Sequence, residues 1–179
     1  MKKVALITVA ICLMSSSAFA QSAGEKTGVN STLGIAPTTA DFVKEAVVSD
    51  MTEIAAAKIA LEKGNPEEKK FAEQMITDHT KTSTELKGLV SSGAVKAEIP
   101  SALESSSQKK IDKLKDTKPE DFAGQYDPMQ VSAHKDAVSL FERYAKGGDN
   151  PKLKDWAGKT LPHLQHHLEM AQALNKNRK

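Results

Sequence analysis

Apolar residues recur every three or four positions through most of the chain after residue 38, which is the spacing of one face of an α-helix. The alternating pattern of a half-buried β-strand does not occur over any comparable stretch. Clusters of Gly, Pro and Asn interrupt the helical pattern and divide it. The pattern therefore predicts four long helices, over about 40–63, 66–91, 119–147 and 151–174.

Residues at the boundaries of these segments favour helix ends. Thr38 and Asp41 have the spacing of a capping box before the first helix. The dipeptide Asn-Pro at 65–66, repeated at 150–151, places a capping side chain directly before a proline in the first turn of the second and fourth helices. Pro128, inside the third helix, is expected to kink the helix or to restart it.

The lengths of the connections predict how the helices are arranged. Very short connections join the first helix to the second and the third to the fourth, and they favour two antiparallel hairpins. A long connection over 94–118 joins the hairpins and should carry a short amphipathic helix over 102–114. The sequence therefore predicts an all-α fold: a ferritin-like four-helix bundle with a long crossover that carries a short extra helix.

The first twenty residues have the three parts of a secretory signal peptide. Lys2 and Lys3 precede an apolar run over 4–14, and a small-residue ending at 18–20 predicts cleavage before Gln21. We expect a periplasmic protein and leave association with the outer membrane open. The predicted organisation is a signal peptide over 1–20, a flexible leader over 21–37, the bundle domain over 38–175 and a basic tail over 176–179.

Composition narrows the classes of function. The whole chain has 25 Lys and Arg residues, 23 Asp and Glu residues and one cysteine. Cleavage of the signal peptide would remove that cysteine and two lysines, which leaves a formally neutral chain without disulfides or thiolate ligands. Nucleic acid is not an expected partner, and no transmembrane segment is expected in the mature chain. A protein partner and a homo-oligomer both stay open.

Each long predicted helix carries a polar residue within its apolar face, near the middle of the helix. These residues are Glu53, His79, His134 and His167, and Asp50 is a fifth. Because each residue turns a helix by about 100°, their positions place them toward the core. Their similar depth in the four helices predicts that the fold brings them together at one level.

The segment LPHLQHHLEM, residues 161–170, contains three of the five histidines. Of these, only His167 falls clearly within the apolar face of the fourth helix, whereas His163 lies at its edge and His166 lies outside it. We expect His163 and Asp78 to support the core residues rather than to face the centre of the fold.

Three imidazoles and a carboxylate in a helical core could bind one divalent transition metal, such as Zn, Fe, Mn, Ni or Cu. The other interpretation is a buried hydrogen-bond network, in which the histidines pair with Asp50, Glu53, Thr82 or Gln130 and fix the helix register. Spacing alone leaves both open.

Three segments resemble an exported bacterial family of unknown function. They read FVKEAVVSDMTEIAAAKIALEKG, FAEQMITDHTKTSTEL and QVSAHKDAVSLFERYAKGGDNPKLKDWAGKTLPHLQHHLEMA, within residues 40–174. Members of that family are often labelled membrane, outer-membrane or exported proteins and are grouped with the ferritin-like bundles. The resemblance implies the fold but supplies no activity. The matching elements are Met51 with Glu53, Asp78-His79, His134, and Leu161-Pro162 with His167.

This chain departs from the pattern of iron-oxidising ferritins, whose sites use Glu-x-x-His on two helices. The residues three positions before the core histidines are Ile76, Val131 and Leu164. Di-iron ferroxidase or oxygenase chemistry is therefore not expected, and no residue is assigned as catalytic. We expect an exported ferritin-like protein of unassigned role, in which the core could bind one divalent transition metal ion. The alternative is a metal-free structural or stress-associated periplasmic protein that acts by binding a partner.

Overall fold

The computed structural model of the chain describes Ala23, Glu25 and residues 28–178. The predicted signal peptide, residues 1–20, lies outside the described residues. The described part is all-helical and contains no strand, which confirms the predicted all-α class. Six α-helices occur in it: Val29–Leu33 (α1), Thr39–Lys63 (α2), Pro66–Ser91 (α3), Ser105–Asp116 (α4), Phe122–Gly147 (α5) and Pro151–Asn177 (α6).

The predicted starts of α2 and α3 are present in the structure, whereas α5 begins at Phe122, after a 3-10 turn over Pro119–Asp121 and three residues later than predicted. The Thr38 side chain accepts a hydrogen bond from the backbone N–H of Asp41 at 3.1 Å, which caps α2. At the start of α3, Asn65 and Glu68 form a full capping box, because each side chain accepts a hydrogen bond from the other residue's backbone N–H. These bonds satisfy donors that the first turn of a helix leaves free.

Several boundaries differ from the sequence-based expectation. The crossover helix α4 spans Ser105–Asp116 rather than 102–114, and its buried residues are Ile111 and Leu114, near its carboxyl end. Burial of those two side chains in the core fixes the position of the helix. The last helix ends at Asn177, three residues beyond the predicted end. The short helix α1 lies within the segment that we predict to be a leader.

Pro128 does not restart α5, which runs from Phe122 to Gly147 without a break. A proline ring approaches the carbonyl of the residue four positions earlier, and here that residue is Gly124. A side chain at Gly124 would meet no atom within 4 Å, so this turn is open to solvent.

The long helices pack chiefly as two sequential pairs, α2 with α3 and α5 with α6. Contacts also join α2 to α5 and α3 to α6, and α4 packs against α2 and α5. Among the described residues, no helix combines the length and apolarity needed to cross a bilayer. The narrower prediction, a ferritin-like four-helix bundle, stays a prediction.

Two separate apolar clusters form the core. The first contains Phe42, Phe141 and Tyr144, and the second contains Phe71 and Tyr126. On each long helix, the buried residues of the two clusters occupy different stretches, and polar residues lie between those stretches in the sequence. The interruption is at Asp50 to Glu53 on α2, His79 on α3, His134 on α5 and His167 on α6.

A buried carboxyl pair joins the start of α3 to α5. Glu68 and Asp127 are each 1% exposed. Burial, followed by the negative charge of Glu68, raises the pKa of Asp127 to about 7, although Arg178 opposes the shift. The folded chain therefore keeps a proton on this pair at a pH where an unfolded aspartate, with a pKa of about 4, has lost it.

This pair predicts a dependence of stability on pH. Between about pH 4 and pH 7 the folded state binds more protons at this site than the unfolded state, so stability falls as the pH rises, by at most about 1.4 kcal/mol per pH unit. Asp127→Asn should flatten this decline and leave the variant more stable than the natural chain at pH 8. Urea unfolding at several pH values measures the slope. Asp116→Asn, at an exposed position, is the control, and an unchanged slope in Asp127→Asn would contradict the assignment.

Candidate metal centre

Three buried imidazoles from three helices meet in the core. His79 comes from α3, His134 from α5 and His167 from α6, and they are 2%, 1% and 3% exposed. Their ring centroids form a nearly equilateral triangle, with separations of 5.8, 5.5 and 5.6 Å. One nitrogen from each ring lies within 4.8 Å of the corresponding nitrogens of the other two. The structure therefore brings together all three histidines that the sequence places on inward faces.

Each imidazole uses its outer nitrogen for a hydrogen bond to the surrounding protein. Such a bond fixes the orientation of the ring and the tautomer that a neutral histidine adopts. The three bonds run from His79 Nδ1 to Asp50 Oδ1 at 2.8 Å, from His167 Nε2 to Asp78 Oδ2 at 2.8 Å, and from His134 Nδ1 to the Gln130 carbonyl at 2.9 Å.

The inner nitrogens are buried and have no hydrogen-bond partner among the described residues. They are Nε2 of His79, Nε2 of His134 and Nδ1 of His167. A buried polar atom without a partner typically costs about 1–3 kcal/mol, so three in one place need an explanation. In a neutral ring whose outer nitrogen donates, the inner nitrogen carries a lone pair, which is what a metal ion binds.

Glu53, on α2, is the carboxylate that the sequence places in the same layer. It is 2% exposed, and neither of its oxygens has a partner among the described residues. It is not one of the three residues whose candidate ligand atoms lie within 4.8 Å of one another. Its charge nevertheless acts on His79 and His134 and favours their protonation. A role for Glu53 as a direct ligand stays a prediction.

Two of the three imidazoles are held neutral. Burial lowers the pKa of His134, and the neighbouring His79 adds to that effect while Glu53 opposes it. Burial also lowers the pKa of His167 to about 4, despite its hydrogen bond to Asp78. Both rings are therefore uncharged at neutral pH, with lone pairs available for a ligand bond.

His79 differs because it faces a buried carboxylate. Burial lowers its pKa, but the hydrogen bond and the charge of Asp50 raise it by more, so the net shift is upward. Asp50 has one oxygen on His79 Nδ1 and the other accepting from the Thr82 hydroxyl at 3.0 Å. Both Asp50 oxygens are thus occupied, and the residue orients His79 rather than facing the centre.

The residues expected to support the site lie at its outer side. Asp78 is partly buried and accepts hydrogen bonds from His167 and from the Gln74 amide at 2.6 Å. His163 is exposed. Burial raises the pKa of Asp78, but the hydrogen bonds from Gln74 and His167, together with the charge of His163, lower it by more. His166 is exposed, as its position outside the apolar face predicts.

Two further buried polar side chains lie on α5, the helix that carries His134. Tyr126 and Gln130 are both fully buried. Neither the phenol oxygen of Tyr126 nor the amide oxygen and nitrogen of Gln130 has a hydrogen-bond partner among the described residues. Of the two, the sequence predicts only Gln130 as a possible hydrogen-bond partner of the histidines. Their spacing of four positions, continued at His134, places all three on one helix face and is the signal that could have identified them.

Comparison with known proteins identifies a family but no activity. A family model described as a domain of unknown function (DUF4142) matches residues 24–174, so the chain belongs to that family. The matched region includes all the residues of the imidazole site. No curated protein and no solved structure matches the chain.

Proposed function

We propose that this member of the DUF4142 family binds one divalent transition-metal ion through His79, His134 and His167, with Glu53 supplying the fourth ligand. One observation carries the proposal: one nitrogen of each ring lies within 4.8 Å of those of the other two, and each ring keeps a buried inner nitrogen without a partner among the described residues while its outer nitrogen has an acceptor. A metal-free hydrogen-bond network would need a partner for each inner nitrogen, and no described side chain supplies one.

The separation of the nitrogens suits a site that closes slightly around its ion. A tetrahedral zinc site with Zn–N distances of about 2.0–2.1 Å holds its ligand atoms roughly 3.4 Å apart. From separations of at most 4.8 Å, each ring would move inward by roughly 0.8 Å or less. Neutral imidazole and carboxylate suit Zn, Fe, Mn, Ni or Cu, and the ion when bound would supply Lewis acidity or a redox centre.

The proposed architecture around the ion is a ferritin-like four-helix bundle in an exported protein. The arrangement of α2, α3, α5 and α6 in two sequential pairs supports it, as does the long connection between Ser91 and Phe122 that carries α4. The signal-peptide pattern of the first twenty residues supports export to the periplasm. A single ion held by three imidazoles would fit storage, delivery or structural roles, whereas di-iron chemistry needs carboxylates that this layer lacks.

The proposal predicts metal content and metal-dependent stability. Untagged protein purified without chelators should contain about one equivalent of a single transition metal by mass spectrometry. Chelation should lower the melting temperature, and added Zn²⁺ should restore it in a concentration-dependent way, because an ion that binds only the folded state stabilises it. His134→Ala should abolish both the bound metal and the shift.

His166→Ala provides the matched control, because His166 is an exposed histidine on the helix that carries His167. The control should keep the metal and the full temperature shift. Equal losses in both variants would contradict the assignment of inward-facing ligands. A stable protein without metal would favour the alternative function, a metal-free protein that acts by binding a partner.

A second prediction concerns the residue that orients His167. Asp78→Ala removes the acceptor of the His167 hydrogen bond, and loss of such an orienting group typically weakens metal affinity by about 10–100-fold. The variant should still bind one equivalent of Zn²⁺ at saturation. Asp78→Asn, which keeps an acceptor oxygen, should lose less affinity. Isothermal titration with Zn²⁺ measures both quantities.

Glu73→Ala is the control for this series, because it removes an exposed carboxylate from the same helix. If both substitutions lowered the affinity for Zn²⁺ equally, the loss of negative charge, rather than the orientation of His167, would explain the weaker binding.

A further inference from the structure

A groove between α2 and α5 reaches the carboxylate of the imidazole layer. It has a volume of about 450 Å³, and α4 borders one side of it. The residues on its walls include the small side chains of Ser49, Thr52, Ala133 and Ala137, which leave space between the two helices. Glu53 also lines the groove, so the space extends from the surface to a residue that is otherwise buried.

The imidazole site needs such a route. The three rings are at most 3% exposed, and a metal ion cannot reach them through packed side chains. Glu53 is the point at which the groove and the imidazole layer meet. Its two oxygens are unpartnered among the described residues, so they are free to bind an ion that arrives from the groove.

The walls of the groove offer negative charge at its outer part. Glu45 on α2 and Asp136 on α5 lie on opposite walls, and neither has an ion pair or a hydrogen bond with a described residue. Burial and the neighbouring Glu25 raise the pKa of Glu45 to about 7, and an arriving cation would favour its ionised form.

Most of the positive charge in the groove is already neutralised. Lys44 pairs with Glu104 at 2.5 Å, and Arg143 pairs with Glu25 at 2.6 Å. Among the described residues that line the groove, Lys110 is the further cation, and its side chain is exposed. The charges left unpaired on the walls are therefore mainly carboxylates, and they favour a cation over an anion.

We propose that this groove is the route by which a hydrated divalent cation enters the protein, with Glu45 and Asp136 attracting the ion and Glu53 transferring it to the three imidazoles. The proposal rests on the metal site proposed above and adds the path and the residues that serve it. Size is compatible, because six waters at about 30 Å³ each occupy roughly 180 Å³. The transfer exchanges water oxygens for a carboxylate oxygen and then for imidazole nitrogens, without any redox step.

The test measures the rate of metal loading separately from the affinity. Full-length protein freed of metal by chelation is mixed with Co²⁺ at pH 8 in a stopped-flow spectrometer, and the visible absorption of bound Co²⁺ is followed. Glu45→Gln with Asp136→Asn should slow loading by about 10-fold at low salt, because charged walls concentrate ions at an opening. The amount of Co²⁺ bound at equilibrium and its dissociation constant should stay unchanged, because residues on the route that do not contact the bound ion change its entry and its release by the same factor.

The matched control is Glu73→Gln with Glu120→Gln, which removes two exposed carboxylates outside the groove. Its loading rate should stay close to that of the natural chain. In 0.5 M salt the difference between the two double variants should largely disappear, because salt screens charges beyond a few ångströms. Ser49→Leu, which narrows the groove without changing its charge, should slow loading at any salt concentration.

The outcomes separate the two proposals. If both double variants and Ser49→Leu bound Co²⁺ and loaded it as fast as the natural chain, the route would be overturned and the metal site would stay intact. A natural chain that binds no Co²⁺ would overturn the metal site and the route together. A loss of affinity in Glu45→Gln with Asp136→Asn would overturn the route, because it would make these residues ligands.

Discussion

The central constraint in this molecule is a layer of polar side chains that lies between two apolar clusters in the core. Unpartnered buried polar atoms typically cost about 1–3 kcal/mol each, and this layer contains several of them. The apolar clusters on either side hold the four long helices in register, so the layer cannot relax by exposing these atoms to water. A bound ion would convert the cost into stabilisation, because ligand bonds would form with the same lone pairs.

The electrostatics of the layer favour a cation. His134 and His167 are held neutral by burial. The carboxylates of Asp50 and Asp78 accept hydrogen bonds from the outer nitrogens of His79 and His167. The charge of Glu53, whose oxygens have no partner among the described residues, acts on His79 and His134 as well. Such a layer resembles the surroundings of metal sites, in which the outer hydrogen bonds of the ligands determine their direction and basicity.

Much of the site could be predicted from the sequence, because a helix converts spacing into direction. Positions of the apolar residues on each helix placed His79, His134 and His167 on inward faces, and the depth of each residue predicted that they meet. The sequence could not give the nitrogen that each ring turns inward, because that depends on acceptors from other helices, such as Asp78 for His167. Similarly, the distance of Glu53 from the rings depends on how closely α2 packs. The limits of α4 follow from the burial of Ile111 and Leu114, which is a tertiary property.

The most direct test of the account is anomalous diffraction at the metal absorption edge, from crystals of protein purified without chelators. The account predicts a single strong peak about 2.0–2.1 Å from Nε2 of His79, Nε2 of His134 and Nδ1 of His167. No peak in the core, or a peak only at the exposed pair His163 and His166, would contradict it.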